Sequence, residues 1–205
     1  MIRLHRHPLS GHSHRAELML SLLGLPFERV EVDLAKGAHK APAFLAKNPF
    51  GQVPVIEDGE LVLADSNAIL VYLAARYDAS GQWLPRDPAR AARVQRWLSV
   101  AAGQLASGPA AARLVTVFGA KLDAARAKAI AAQLFSVLDG NLATHAFLED
   151  AKPTVADVAL YSYTAHAPEG GISLEPYPRV RSWLGRIEAL PRFVPMQRSA
   201  VPAAA

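Results

Sequence analysis

The sequence predicts a small mixed α/β unit followed by an all-helical one, and three observations carry that reading. Residues 1–78 alternate strand-like and helix-like segments. A stretch rich in Pro, Gly and Asp, DASGQWLPRDP, follows at 78–88 and has the composition of a linker. Beyond it, every periodic segment has helical spacing. The expected organisation is a mixed domain at 1–78, a linker at 79–87 and a helical domain at 88–205.

Each element has its own signal. Ile2–His5 is short and apolar enough for a buried first strand. Ser13–Gly24 carries Ala16, Leu18, Met19, Leu20, Leu22 and Leu23, a well-buried helix stopped by Gly24. Phe27–Leu34 alternates with period two and reads as a second strand. Strand, helix, strand in that order implies a parallel pair with a right-handed crossover. A hairpin at Val53–Ala64 turns on Asp58-Gly59, and a helix over Ser66–Tyr77 closes the unit. In the second unit Asp87 caps a helix with Pro88 at its first position. Ser107-Gly108-Pro109 predicts a break in that helix. Further helices are expected at Ala124–Phe147, Pro153–Ala167 and Tyr177–Leu190, the second of these opening on a Thr154-x-x-Asp157 capping box with a structural role.

Composition narrows the function classes. A chain of 205 residues with 51% hydrophobic and 20% charged residues is that of an ordered globular protein. The net charge is +4, but the basic residues form no run, so no nucleic-acid partner is expected. The absence of cysteine excludes disulfides, thiolate metal sites and an enzyme cysteine nucleophile. Any sulfur chemistry must use a thiol supplied by a ligand. No secretory leader and no membrane-length apolar run is evident, which predicts a soluble cytoplasmic protein with no membrane partner. The Ala-rich end at 201–205 is expected to fray.

Two stretches offer chemistry. The first is Asn48–Ile69, NPFGQVPVIEDGELVLADSNAI. A proline inside a strand cannot donate to the ladder, so Pro54 marks a deliberate feature, of which a cis peptide is the common case. Asp65-Ser66 opens the next helix. The pair reads as a plain N-cap, or as a carboxylate for an ammonium beside a hydroxyl and helix tip for a carboxylate. The second stretch is the loop Pro8–Arg15, where a strand ends and a helix begins. Backbone N–H groups at a helix tip favour negative charge. A helix tip and one hydroxyl together lower a bound thiol's pKa from about 8.5 by about one to two units. Ser10 or Ser13 is the candidate hydroxyl, and either can instead be a simple helix cap. The histidines at 5, 7, 12 and 14 lack acidic neighbours and are read as polar loop residues, so no metal is expected.

The strand–turn–strand–helix pattern of 48–69 resembles the glutathione-binding half of the cytosolic glutathione S-transferases. The order βαβ-α-ββα resembles the thioredoxin fold. This resemblance implies a bacterial serine-type enzyme, theta-like or zeta-like, that uses glutathione as co-substrate and conjugates its thiolate to a hydrophobic electrophile. It implies Ser10, or alternatively Ser13, as the thiol-activating residue; Gly11 and His12 depart from the family's zeta-type loop. The Gly37-Ala38-His39-Lys40 turn resembles theta-class sequences and implies His39 and Lys40 near the tripeptide's glycine carboxylate, whereas the residues alone give a solvated basic turn. Val53 and Pro54 are implied to hold the cysteinyl part, and Gln52, standing where theta proteins often have Lys, is implied to give the glycine carboxylate an uncharged hydrogen bond. Asp65 and Ser66 are implied to hold the γ-glutamyl end. Arg113, Val117 and Phe118, with Tyr161 and Tyr163, are candidates for the hydrophobic subsite. The resemblance also implies a homodimer. A glutathione-dependent isomerase of the maleylacetoacetate type, a peroxidase, and a non-catalytic glutathione-binding protein on the same scaffold remain open as alternatives.

Overall fold

Four strands form one mixed sheet in the order β2-β1-β3-β4. The structure, a computed structural model, describes residues 1–199; the end at 201–205 lies outside them. β1 (Ile2–Arg6) runs parallel to β2 (Phe27–Glu31), and α1 (Gly11–Leu22) connects them. β3 (Val55–Asp58) pairs antiparallel with β1 and with β4 (Leu61–Ala64). A short α2 (Pro42–Leu45) follows a 3-10 turn at Ala38–Lys40, and α3 (Ser66–Tyr77) closes the unit. This is the βαβ-α-ββα order.

α1 is buried along most of its length because it is packed against both α3 and a helix of the second half. Ala16, Leu18, Met19 and Leu20 are fully enclosed. Its buried Glu17 and His14 are therefore paired. Glu17 takes Arg6 and, at 2.6 Å, Arg29. His14 Nδ1 meets Ser162 Oγ at 2.8 Å, and its Nε2 donates to the Val194 carbonyl at 2.9 Å. The second half comprises α4 (Pro88–Val100), α5 (Ala111–Phe118), α6 (Ala124–Asn141), α7 (Val155–Ala165) and α8 (Pro178–Glu188). Leu4, Leu18 and Leu70 share one continuous apolar cluster with Trp97, Leu160 and Trp183, so the core passes uninterrupted from sheet to helices. The capping box of α7 forms: Asp157 Oδ2 accepts from Thr154 N at 2.8 Å. Asp157 Oδ1 accepts from Leu148 N and from Trp183 Nε1, both at 2.9 Å, so one carboxylate ties α7 to a turn and to α8.

The structure corrects four boundaries. Asp58 pairs with Leu61, so the hairpin loop is Gly59-Glu60, one residue later than Asp58-Gly59. Gly59 takes φ +60°, the first central position of a type II′ turn. β2 ends at Glu31 because Asp33 begins a turn, its Oδ1 accepting from Lys36 N at 3.0 Å. α6 stops at Asn141, whose side chain donates to the Leu148 carbonyl at 2.9 Å and draws the chain away.

The fourth correction matters most for the site. Ser107-Gly108-Pro109 does not break the helix. Residues Ala101–Ala110 continue α4 into α5 as a wide π-type segment with Pro109 inside it. A proline loses its own N–H bond and presses on the carbonyl four residues back; wider winding accommodates both. Ser107 Oγ donates to the Gly103 carbonyl at 2.8 Å, replacing a backbone partner. A Cβ on Gly108 would stand 3.0 Å from Ala131 N, so glycine here allows a close approach to α6. The outcome is one helical rod from Pro88 to Phe118.

Candidate active site

A cavity of about 1110 Å³ opens between that rod and the loops at one end of the sheet. Its polar walls come from three places: the β1–α1 loop, the 39–54 region, and the start of α3. Ala106, Ala110, Leu114 and Phe118 of the rod form an apolar wall opposite them.

Ser10 lines the cavity as the N-cap of α1, and its Oγ accepts from Ser13 N at 3.2 Å. Capping uses a lone pair and leaves the O–H proton available to a ligand. The cap and the thiol-donor roles are thus compatible in one hydroxyl. Ser13 is not part of the cavity wall. It is buried, and its Oγ accepts from His7 N at 3.3 Å, bracing the loop from behind. Ser13, the alternative hydroxyl, thus stands behind the loop and not on the cavity wall. Gly11, where the loop departs from the serine-type pattern, has a steric reason: a Cβ there would lie 2.7 Å from the Tyr163 ring.

The 39–54 region is braced by its own backbone contacts. Asn48 is buried; its Nδ2 donates to the Gln52 carbonyl at 2.9 Å and its Oδ1 accepts from Phe50 N at 3.1 Å. Gly51 takes φ +60°, and a Cβ would strike the His39 carbonyl at 2.8 Å. Lys40 Nζ donates to the Phe50 carbonyl at 3.2 Å. His39 lines the cavity with a buried Nδ1 that has no partner. Gln52 is exposed, and the Val53-Pro54 peptide is cis, with Val53 outside the β1–β3 ladder.

Asp65 caps α3 by accepting from Ala68 N at 2.9 Å, with its backbone at φ +72°. A non-glycine residue held there costs on the order of 1–3 kcal/mol, and such positions cluster at binding sites. Ser66 is buried beside it, and its Oγ accepts from Arg15 Nη1 at 3.1 Å. Arg15 is fully enclosed, its Nε and Nη2 have no partner, and no carboxylate lies within ion-pair reach among the described residues. Burial pushes its guanidinium down to about 10, with the Asp65 charge acting in the opposite sense. His12, on the cavity wall, has its Nδ1 3.1 Å from Arg15 Nη1 and 3.3 Å from Ser66 Oγ. Burial first, and Arg15 second, push this imidazole down to about 3, so it is neutral.

Ser10, His39, Gln52, Val53, Pro54, Asp65, Ser66, Arg113 and Phe118 all meet at this cavity, as does Tyr163; Val117 and Tyr161 do not. Arg113 differs from expectation in its use. Its guanidinium is spent internally, on Glu169 Oε2, the Leu9 carbonyl and Ser199 Oγ, each at 2.7 Å. The sequence reading missed His12, Arg15 and Asn48. For Arg15 a signal existed: it stands three and four residues before Leu18 and Met19, on the buried stripe of α1. Among the described residues, no group of three His, Asp or Glu is placed to hold a metal ion.

The site thus sets an aspartate–serine helix tip, a cis Val53-Pro54 peptide and a capped serine loop across a cavity from an apolar helical wall. Comparison with known proteins gives the family. The family model for the glutathione S-transferase N-terminal domain matches residues 2–75, and that for the C-terminal domain matches 103–191. Glutathione S-transferase 3 of Zea mays is 37% identical over 204 residues, spanning 94% of this chain and 91% of that one. Human glutathione S-transferase theta-2 is 33% identical over 175 residues, spanning 81% and 72%. A crystal structure of a glutathione S-transferase from Pseudomonas fluorescens superposes with a TM-score of 0.90 at 33% identity, covering 96% of this chain and 99% of that one. The chain belongs to the glutathione S-transferase family, with a thioredoxin-like first half and a helical second half. It is a transferase that uses glutathione.

Proposed function

We propose that the cavity binds glutathione along its polar side and that Ser10 holds the tripeptide's sulfur as a thiolate, which attacks a hydrophobic electrophile seated against the rod. The observation that carries this is the state of Ser10: its oxygen is committed to Ser13 N, so its proton is the free part of the group. A donor fixed in place before the thiol ionises stabilises the anion without reorganising. Attack by the thiolate on carbon forms the C–S bond as the leaving group departs, or as charge moves onto an acceptor atom; proximity supplies the rest.

The other residues divide the tripeptide by charge. Asp65 faces the γ-glutamyl ammonium, while Ser66 and the α3 tip face its carboxylate. Val53 offers backbone groups to the cysteinyl residue by strand addition. His39, with its unpartnered Nδ1, and Gln52 serve the glycine carboxylate. Leu114, Phe118 and Ala110 make the electrophile's wall. Arg113 acts from behind, gripping Leu9, the residue before Ser10.

The chain acts as a homodimer. Phe50 supports this: it is 79% exposed on a loop that Asn48 holds rigid, an arrangement suited to insertion into a second copy. The enzyme works in the cytoplasm, in keeping with the absence of any membrane-crossing helix among the described residues. Calorimetric titration with glutathione tests the binding half of the reading. Heat of binding that weakens by about 10- to 100-fold in Asp65→Asn is expected; no heat from a folded protein overturns it.

A further inference from the structure

The tautomer of His12 is fixed by its neighbour. A guanidinium only donates, so the 3.1 Å contact from Arg15 Nη1 requires His12 Nδ1 to accept. A neutral imidazole that accepts at Nδ1 carries its proton on Nε2. Ser66 Oγ, 3.3 Å from the same Nδ1, is compatible with that assignment: its proton turns to Nδ1 in the free site and to the ligand carboxylate in the occupied one. The ring is held edge-on to Tyr163, with centroids 5.0 Å apart and planes at 69°. Nε2 has no partner among the described residues, and the side chain forms part of the cavity wall. Arg15 pays no such attention to the cavity itself: its Nη1 is used on His12, Ser66 and Asn67 Oδ1.

We propose that His12 is a second thiolate-binding residue: its Nε2–H, oriented by Arg15, donates to the sulfur of bound glutathione alongside the hydroxyl of Ser10. The proposal rests on the glutathione reading given above and adds a residue to it. His12 stands two residues after Ser10, and in the first turn of α1 both belong to the helix end that faces the cavity. No proton moves in this role. The imidazole is neutral before and after the C–S bond forms, so it stabilises charge without acting as an acid or a base. The charged and titratable groups around it are Arg15, Asp65 and Tyr163. None of them makes a cation of His12: Arg15 opposes it, Asp65 is engaged with Ala68 N, and Tyr163 is buried and protonated. Arg15 is a positioning residue, acting through the tautomer it imposes.

The test is an absorbance titration of the thiolate of enzyme-bound glutathione in the wild type, His12→Phe and His12→Gln. Glutamine places an N–H close to where Nε2 stands, whereas phenylalanine keeps the ring without a donor. The bound thiol's pKa is expected to rise by about half to one unit in His12→Phe and to stay at the wild-type value in His12→Gln. An unchanged titration in His12→Phe overturns the role of His12 alone. A wild type whose bound thiol titrates like free glutathione overturns the underlying reading of the site instead. Nitrogen-15 spectra of the wild-type imidazole give an independent readout that needs no variant. They should give an Nε2–H tautomer from pH 5 to pH 9, with the Nε2 resonance moving on glutathione addition and far less on S-methylglutathione. An Nδ1–H tautomer, or equal movement with both ligands, overturns the proposal.

Discussion

At the scale of single residues, the site works by assigning each lone pair and proton a separate task. Ser10 caps α1 with its oxygen and keeps its proton for a ligand. Ser10→Ala should therefore do two things: lower kcat by about 100-fold through loss of an anion donor, and cost about 1 kcal/mol of stability through loss of the cap. Steady-state kinetics and urea denaturation separate the two. Ser13→Ala should lower stability by a similar amount while leaving most of the turnover, because Ser13 Oγ serves only His7 N behind the cavity. The pairing of Asp65 with Ser66 was legible in the sequence because acidic–Ser before an apolar helix is a local signal. The contact of Arg15 with Ser66 was not, because it depends on where α3 places Ser66, 51 residues further along the chain.

At the scale of elements, α1 is the part on which both halves converge. Gly11 is small because Tyr163 of α7 occupies the space of its side chain. Gly11→Ala should push α1 away from α7 at a cost of about 1–3 kcal/mol, and Tyr163→Leu in the same chain should recover part of it. Thermal unfolding of the single and double variants measures this. His14 gives α1 a pH dependence. Burial pushes its imidazole down to about 4, with the Val194 carbonyl bond acting in the opposite direction. The unfolded chain takes up that proton near pH 6.5 while the folded chain resists it until about 4. Stability is therefore full above pH 6.5 and is lost as pH falls toward 4, by on the order of 1–3 kcal/mol. Lys47 first, and then His5, hold Glu57 down to about 2, so its own contribution is lost only below its unfolded value near 4.5, at the acid edge of that window. His12, held down to about 3, adds a loss of stability over the same window, so His14→Asn should reduce the slope of urea-unfolding free energy between pH 4 and 6.5 without abolishing it. Element identity was readable from hydrophobic period and caps, since these are local. The exception is instructive: Pro109 reads as a stop, yet a π-type winding, the Ser107 hydroxyl and the close approach at Gly108 let the rod continue.

At the scale of the molecule, Arg113 and Phe50 connect the site to the rest. Arg113 joins α5 to the turn at Glu169, to the β1–α1 loop and to Ser199 through three bonds of 2.7 Å. Removing its charge leaves Glu169 with His166 and the Ser199 N–H but no guanidinium, and the Leu9 carbonyl without its Arg113 donor. Arg113→Met should cost about 3–5 kcal/mol and lower kcat, with less change in the KM for glutathione, since Leu9 no longer steadies Ser10. Phe50→Ser should shift sedimentation toward a monomer while leaving circular dichroism unchanged. A wild type that sediments as a monomer at micromolar concentration removes the homodimer. The two-part architecture was legible because the linker at 78–88 and the change of period are compositional. The single core running through both parts was not, because no local pattern tells which helix faces will meet.

The central claim is that this enzyme keeps the sulfur of bound glutathione ionised and that Ser10 is a principal cause. The most direct measurement is the thiolate absorbance of bound glutathione followed against pH in the wild type and in Ser10→Ala. The wild-type midpoint should lie about one to two units below the ordinary thiol value of about 8.5, and Ser10→Ala should bring it back by about one unit. A wild-type midpoint at the free-thiol value, or the same depressed midpoint in both proteins, would contradict it.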